Sequence, residues 1–182
     1  MRRRRQFVSG CAVVLTLATG CHVNQPDQPT PSTDAAHAAE ELRALPSFEE
    51  TTSKLDSALN SITAAASQRV GSIVWVNGTN EDTGSCPAPY DKSDGMSAYL
   101  PNRIAENVVV SEDDWRHVLG VAKDSAATVG ATDVQTLKDG PRNHDVWFTG
   151  TAGVFIKVSY KGNLVVSGYT GCRLPQGKGA PT

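Results

Sequence analysis

Residues 47–69 read SFEETTSKLDSALNSITAAASQR, and this stretch decides the helical half of the fold. Ser47 with Glu50 three places on has the pattern of a capping box, in which a hydroxyl and a carboxylate satisfy backbone N–H groups left open at a helix start. Phe48, Leu55, Leu59, Ile62 and Ala66 follow at intervals of seven, four, three and four, so they fall on one stripe. The spacing predicts an amphipathic helix from Phe48 to Arg69, ended by a left-handed turn at Gly71. Toward the C-terminus, Ser72 to Asn77 carries Ile73, Val74, Trp75 and Val76, a β-rich run closed by Asn77-Gly78. Thr79 to Asn102 is polar and glycine-containing, and reads as a connection too long to be ordinary.

A second helix is signalled at Ser111, followed by Glu112, Asp113 and Asp114, where acidic side chains meet the positive end of the helix dipole. Trp115, Leu119, Ala122, Ala126 and Val129 give its apolar stripe, and Gly130 ends it. Strands are expected at Asp133 to Lys138, Asp145 to Thr149, Val154 to Tyr160 and Leu164 to Tyr169, with turns at Gly140-Pro141 and Gly162-Asn163. Short connections between successive strands favour an antiparallel meander. The expected fold is therefore α+β: a two-layer sandwich, with two main helices packed on a mainly antiparallel sheet. The sheet face away from the helices is left either wet or covered by the long polar stretch.

Upstream of the first helix the chain changes character. Arg2 to Arg5, the apolar run Phe7 to Ala18 and Leu17-Ala18-Thr19-Gly20 before Cys21 have the order of a lipoprotein signal peptide with its lipobox, and the run is too short to span a bilayer. Cys21 is the expected lipidation site. Cys11 follows a small residue too, but almost no apolar run precedes it; the alternative is a secreted protein cut near Gly20 with Cys21 as a thiol. Arg4-Arg5-Gln6-Phe7-Val8 also fits a loose twin-arginine pattern. Asn24 to Thr33 contains Pro26, Pro29 and Pro31 among polar residues and reads as an extended stalk; Asp34 to Leu45 is expected to form a loose helix that stops before Pro46. The resulting organisation is residues 1–20 as signal peptide, 21–46 as lipidated N-terminus and proline-rich tether, 47–175 as a single globular domain and 176–182 as a tail.

Removing residues 1–20 takes away four arginines and no acid, which leaves 13 basic against 19 acidic side chains and a net charge near −6. That sign repels phosphate backbones and anionic head groups, so nucleic acid is excluded as a partner and membrane attachment falls to acyl chains. Cys86 and Cys172 are the two cysteines that remain, and an exported domain usually joins such a pair; two free thiols are the alternative. At this point the chain resembles the LppA/LppB-type lipoproteins of pathogenic mycobacteria. The likeness is carried by Ser72-Ile73-Val74-Trp75-Val76, Gly84-Ser85-Cys86-Pro87, Ser111-Glu112-Asp113-Asp114-Trp115 and Gly168-Tyr169-Thr170-Gly171-Cys172-Arg173. It implies a lipid-anchored envelope protein with a paired cysteine and brings no catalytic residues with it.

No legible motif supplies a catalytic group, a metal site or a cofactor cradle. His22, His37, His117 and His144 include no pair at ligand spacing, and there is no Gly-x-Ser-x-Gly. Thr51-Thr52-Ser53-Lys54 only imitates Ser-x-x-Lys. Gly171 to Lys178 has the wrong glycine spacing for a phosphate loop, and neither Asp91 with Asp94 nor Asn80-Glu81-Asp82 follows a calcium loop. Trp75, Trp115 and Trp147 are candidate ligand-binding residues if the fold brings them together, and ordinary core residues if it does not. The expected function is that of a non-enzymatic envelope lipoprotein on the extracytoplasmic side of the cell membrane, binding an envelope protein, a lipid or another ligand. The alternative is a carrier of lipid or other apolar molecules in a cavity between helices and sheet.

Overall fold

The computed structural model describes residues 32–178. The signal peptide, the lipobox with Cys11 and Cys21, and the proline-rich run up to Pro31 lie outside the described residues, as do residues 179–182 of the tail. Three helices, α1 (Ser32–Arg43), α2 (Phe48–Arg69) and α3 (Glu112–Ala127), pack on a mainly antiparallel open sheet of seven strands, the expected α+β class. The strands are β1 (Trp75–Asn77), β2 (Asp82–Ser85), β3 (Met96–Ala105), β4 (Asp133–Gly140), β5 (Asn143–Thr149), β6 (Phe155–Lys161) and β7 (Asn163–Tyr169). Their order is β1-β3-β7-β6-β5-β4, with β2 also paired to β3.

Sequence rules account for α2 and α3 directly. The Ser47 hydroxyl accepts from the Glu50 backbone N–H at 3.2 Å and the Ser111 hydroxyl accepts from the Asp114 N–H at 3.1 Å, so both helices begin on a serine cap. Leu55, Leu59, Ile62 and Ala66 of α2 meet Trp115, Val118, Ala122 and Ala126 of α3 in one core over Ile156, Val158, Leu164 and Val166 of the sheet. On the same inner face Arg103 of β3 reaches Asp56 of α2 at 2.7 Å. Helix α2 ends at Val70, and the left-handed residue beyond it is Ser72 (φ 64°), not Gly71.

Two expectations are corrected by the sheet. Thr79 to Asn102 is not a connection, because it supplies β2 and most of β3. All of β2 is exposed and it carries no apolar alternation, so backbone pairing with Met96–Tyr99 alone defines it, which composition cannot reveal. The segment Ser72 to Asn77 is strand only at Trp75–Asn77. β1 and β2 lie along one edge of β3, separated at a register shift between Leu100 and Arg103 where Pro101 has no N–H to give. Asn80 fills the gap: its amide donates to the Leu100 carbonyl at 3.2 Å and accepts from the Asn102 N–H at 2.8 Å.

Helix α1 falls within the segment assigned to the tether, yet Ala38 and Leu42 are buried. Leu42 packs with Leu45, Tyr90, Leu174 and the Cys86–Cys172 disulfide, and the Tyr90 hydroxyl donates to Glu41 at 3.0 Å. The folded unit therefore begins before residue 47. Beside the disulfide, Gly171 (φ +63°) is in the left-handed region, and a Cβ there would strike the backbone of Ala152 and Val154.

Candidate functional site

Period-two alternation sorts each central strand onto two faces. In β5, His144, Val146 and Phe148 are buried under the helices, while Asp145, Trp147 and Thr149 lie on the opposite face. By the same alternation Phe155 and Lys157 of β6, Ser167 and Tyr169 of β7, and Tyr99 of β3 share the helix-free face.

Pairing brings the aromatics into a ladder. Tyr99, Tyr169 and Phe155 are cross-strand partners in one row, and Trp147 lies in the next row opposite Lys157. Tyr99 stacks on Tyr169 with centroids 4.3 Å apart, Tyr169 is 5.6 Å from Phe155, and Phe155 is 4.8 Å from Trp147. The last two separations lie within the span where aromatic pairs add to plain burial, and the Tyr99–Tyr169 stack is slightly closer than that span. Tyr99 remains 43% exposed. Lys157 Nζ stands 5.0 Å from the Trp147 ring centre and 3.1 Å from Asp145. Tyr99, Trp147, Phe155 and Lys157, together with Asn80, Asp82, Asn102 and Ser167, line an open groove of about 390 Å³. The Trp147 indole N–H is buried, with no hydrogen-bond partner among the described residues.

The three tryptophans do not converge. Trp115 is in the core, 3% exposed, stacked on His144 with centroids 4.5 Å apart and planes 10° off parallel. Trp75 sits against the edge of that core, its indole N–H donating to Ser67 Oγ at 2.9 Å. Only Trp147 lies in the aromatic groove, and its companions Tyr99, Phe155 and Tyr169 are residues that sequence reasoning passed over. Between the layers Leu55, Leu59, Ile62, Val118, Ile156, Val158 and Val166 are all fully buried, so the position expected for a carrier's cavity is occupied by side chains. A separate groove of about 340 Å³ runs between α3 and β4, with Leu119, Val134 and Phe148 in its wall and Arg116 and Lys123 at its edge.

His144 is in β5, one residue before the strand expected to start at Asp145. Its ring nitrogens meet Asp139 at 3.3 Å and Glu112 at 3.2 Å, with no hydroxyl or thiol among its described partners. This is a clamp from the β4–β5 hairpin to the start of α3, and a nucleophile–base pair is not assembled. The Arg142 backbone N–H, donated to Glu112, holds that carboxyl below its ordinary value of 4.5 against a counteracting desolvation, with His144 and Arg116 acting in the same direction. A lowered pKa means the unfolded chain binds the extra proton first, so this contribution is complete above the unfolded value and is lost as pH falls through the folded one. Thermal midpoints measured from about pH 7 to about pH 3 should fall less steeply for Glu112→Gln than for the wild type. Identical acid limbs would show that the clamp contributes nothing.

No helix among the described residues is long and apolar enough to cross a membrane. Among them, too, no group of three or more histidine, cysteine or acidic residues is placed to hold a metal ion.

A family model described as a lipoprotein confined to pathogenic Mycobacterium, LppA, matches residues 23–176. The chain belongs to the LppA family. The family's description indicates no enzymatic activity. Among solved structures, the LppA of Mycobacterium tuberculosis superimposes with a TM-score of 0.56 at 16% identity, covering 80% of this chain and 90% of that one. A DUF4853 family protein from Actinomyces odontolyticus gives a TM-score of 0.52 at 14% identity, covering 74% and 72%. At these identities the likeness to both structures is one of fold. No curated protein matches the chain.

Proposed function

We propose that this LppA-family protein is an envelope lipoprotein, anchored on the extracytoplasmic side of the cell membrane through acylated Cys21. Its domain is a non-enzymatic binding module whose binding surface is the helix-free face of the sheet. The observation that carries the second part is the aromatic groove at Trp147, Phe155 and Tyr99, since a sheet face left bare by the helices carries clustered rings and not a uniformly polar surface. The first part is supported by the family description and by the order of Arg2 to Arg5, Phe7 to Ala18 and Leu17 to Cys21.

Acyl chains contribute about 0.8 kcal/mol per buried CH₂, and two or more chains hold a protein to the bilayer durably. Cys21→Ser is therefore expected to leave the precursor unprocessed at Gly20 and to carry no acyl mass. Mass spectrometry of the wild type and the variant after extraction checks both. A wild-type chain that begins after Gly20 with an unmodified Cys21 would overturn the anchor.

A further inference from the structure

We propose that the groove on the outer sheet face binds the pyranose ring of a neutral glycan, an inference that rests on the assignment of that face as the binding surface. A sugar ring presents an apolar C–H face and a rim of hydroxyls. The groove presents matching surfaces: the rings of Trp147, Phe155 and Tyr99, and beside them the side chains of Asp82, Asn102 and Ser167, which make no hydrogen bond or ion pair among the described residues.

Charge narrows the class. Lys157, the cation in the groove's lining, is already engaged by Asp145 at 3.1 Å and by the Trp147 ring, while Asp82 leaves a carboxylate facing solvent. An anionic head group or a polyphosphate would meet repulsion there with no unpaired cation to offset it. A bare acyl chain would desolvate Asp82 and Asn102 without returning hydrogen bonds. Neutral hydroxyls suit both, and the groove's volume of about 390 Å³ is within the size range of small-molecule sites. The wall is held in place before binding, because Asn80 pins the β3 backbone on both sides of Pro101.

The test uses the mature lipidated chain in a zwitterionic, sugar-free detergent, followed through its indole and aromatic NMR resonances. Maltohexaose, cellohexaose, mannohexaose and chitohexaose are added separately; palmitate and a peptide of residues 24–33 serve as probes of other chemistry. At least one hexasaccharide is expected to shift the Trp147, Tyr99 and Phe155 resonances. Trp147→Ala and Asn102→Ala should each weaken its binding by about tenfold or more, and Val134→Ser at the far edge should leave it unchanged. If all four sugars leave the groove unmoved up to about 10 mM while palmitate or the peptide moves it, the glycan is overturned and the binding face stands. Should no probe move it, the glycan fails and the binding face loses its support as well. Sugar binding that survives Trp147→Ala also overturns the proposal.

Discussion

Replacing Cys86 and Cys172 together by serine is expected to lower the unfolding free energy by about 4–5 kcal/mol in the chain-entropy description of a disulfide. The bridge joins residues 86 apart in sequence, so the loop it closes is long and its removal frees much conformational entropy in the unfolded chain. That is a large share of the roughly 5–15 kcal/mol that holds a typical domain together. The loss should be uneven. Leu42, Leu45, Tyr90 and Leu174 pack around the two sulfurs, so α1 and the segment from Cys86 to Gly95 should become the first sites of proteolysis. Denaturant titrations of wild type and double variant, with limited proteolysis mapped by mass, check both parts. Equal midpoints would mean that apolar packing alone secures this end of the domain.

Trp115→Ala is expected to cost about 3–5 kcal/mol, the range for emptying a large aromatic site in a packed core. The ring is almost wholly buried, and its loss also strips the stacking face from His144, whose nitrogens bind Glu112 and Asp139. Trp147→Ala, on the open face, should cost clearly less, because solvent can enter the space the ring leaves. Chemical denaturation of the two variants gives the comparison. Equal losses would make Trp147 a structural residue and remove the reason for reading its groove as a site.

The contrast between these two tryptophans shows how far the sequence could be read. Both lie in regular elements that local pattern identified, Trp115 in α3 and Trp147 in β5. The parity of β5 already separates Trp147 from Val146 and Phe148, and the parity of β6 and β7 separates Phe155 and Tyr169 from their apolar neighbours. What no pattern within a strand reveals is that Tyr99, Tyr169 and Phe155 become direct neighbours. That follows from β3 lying beside β7 and β7 beside β6, and β3 sits largely in a segment whose polar, glycine- and proline-containing sequence hid its strand. The burial of α1 was hidden for a related reason, since the partners of its Leu42 include Tyr90, Cys172 and Leu174, 48, 130 and 132 residues away.

By itself the sequence determined the local elements: serine caps start α2 and α3, stripes at helical spacing give them a buried side, and period-two alternation delimits β5 to β7. These depend on contacts within a few residues, and every such choice is written in neighbouring side chains. Tertiary structure alone decided the strand order, the docking of α1 and the gathering of four rings on one bare face. The physical reason is that those outcomes are pairings between distant segments, selected by how the whole apolar surface can be buried at once.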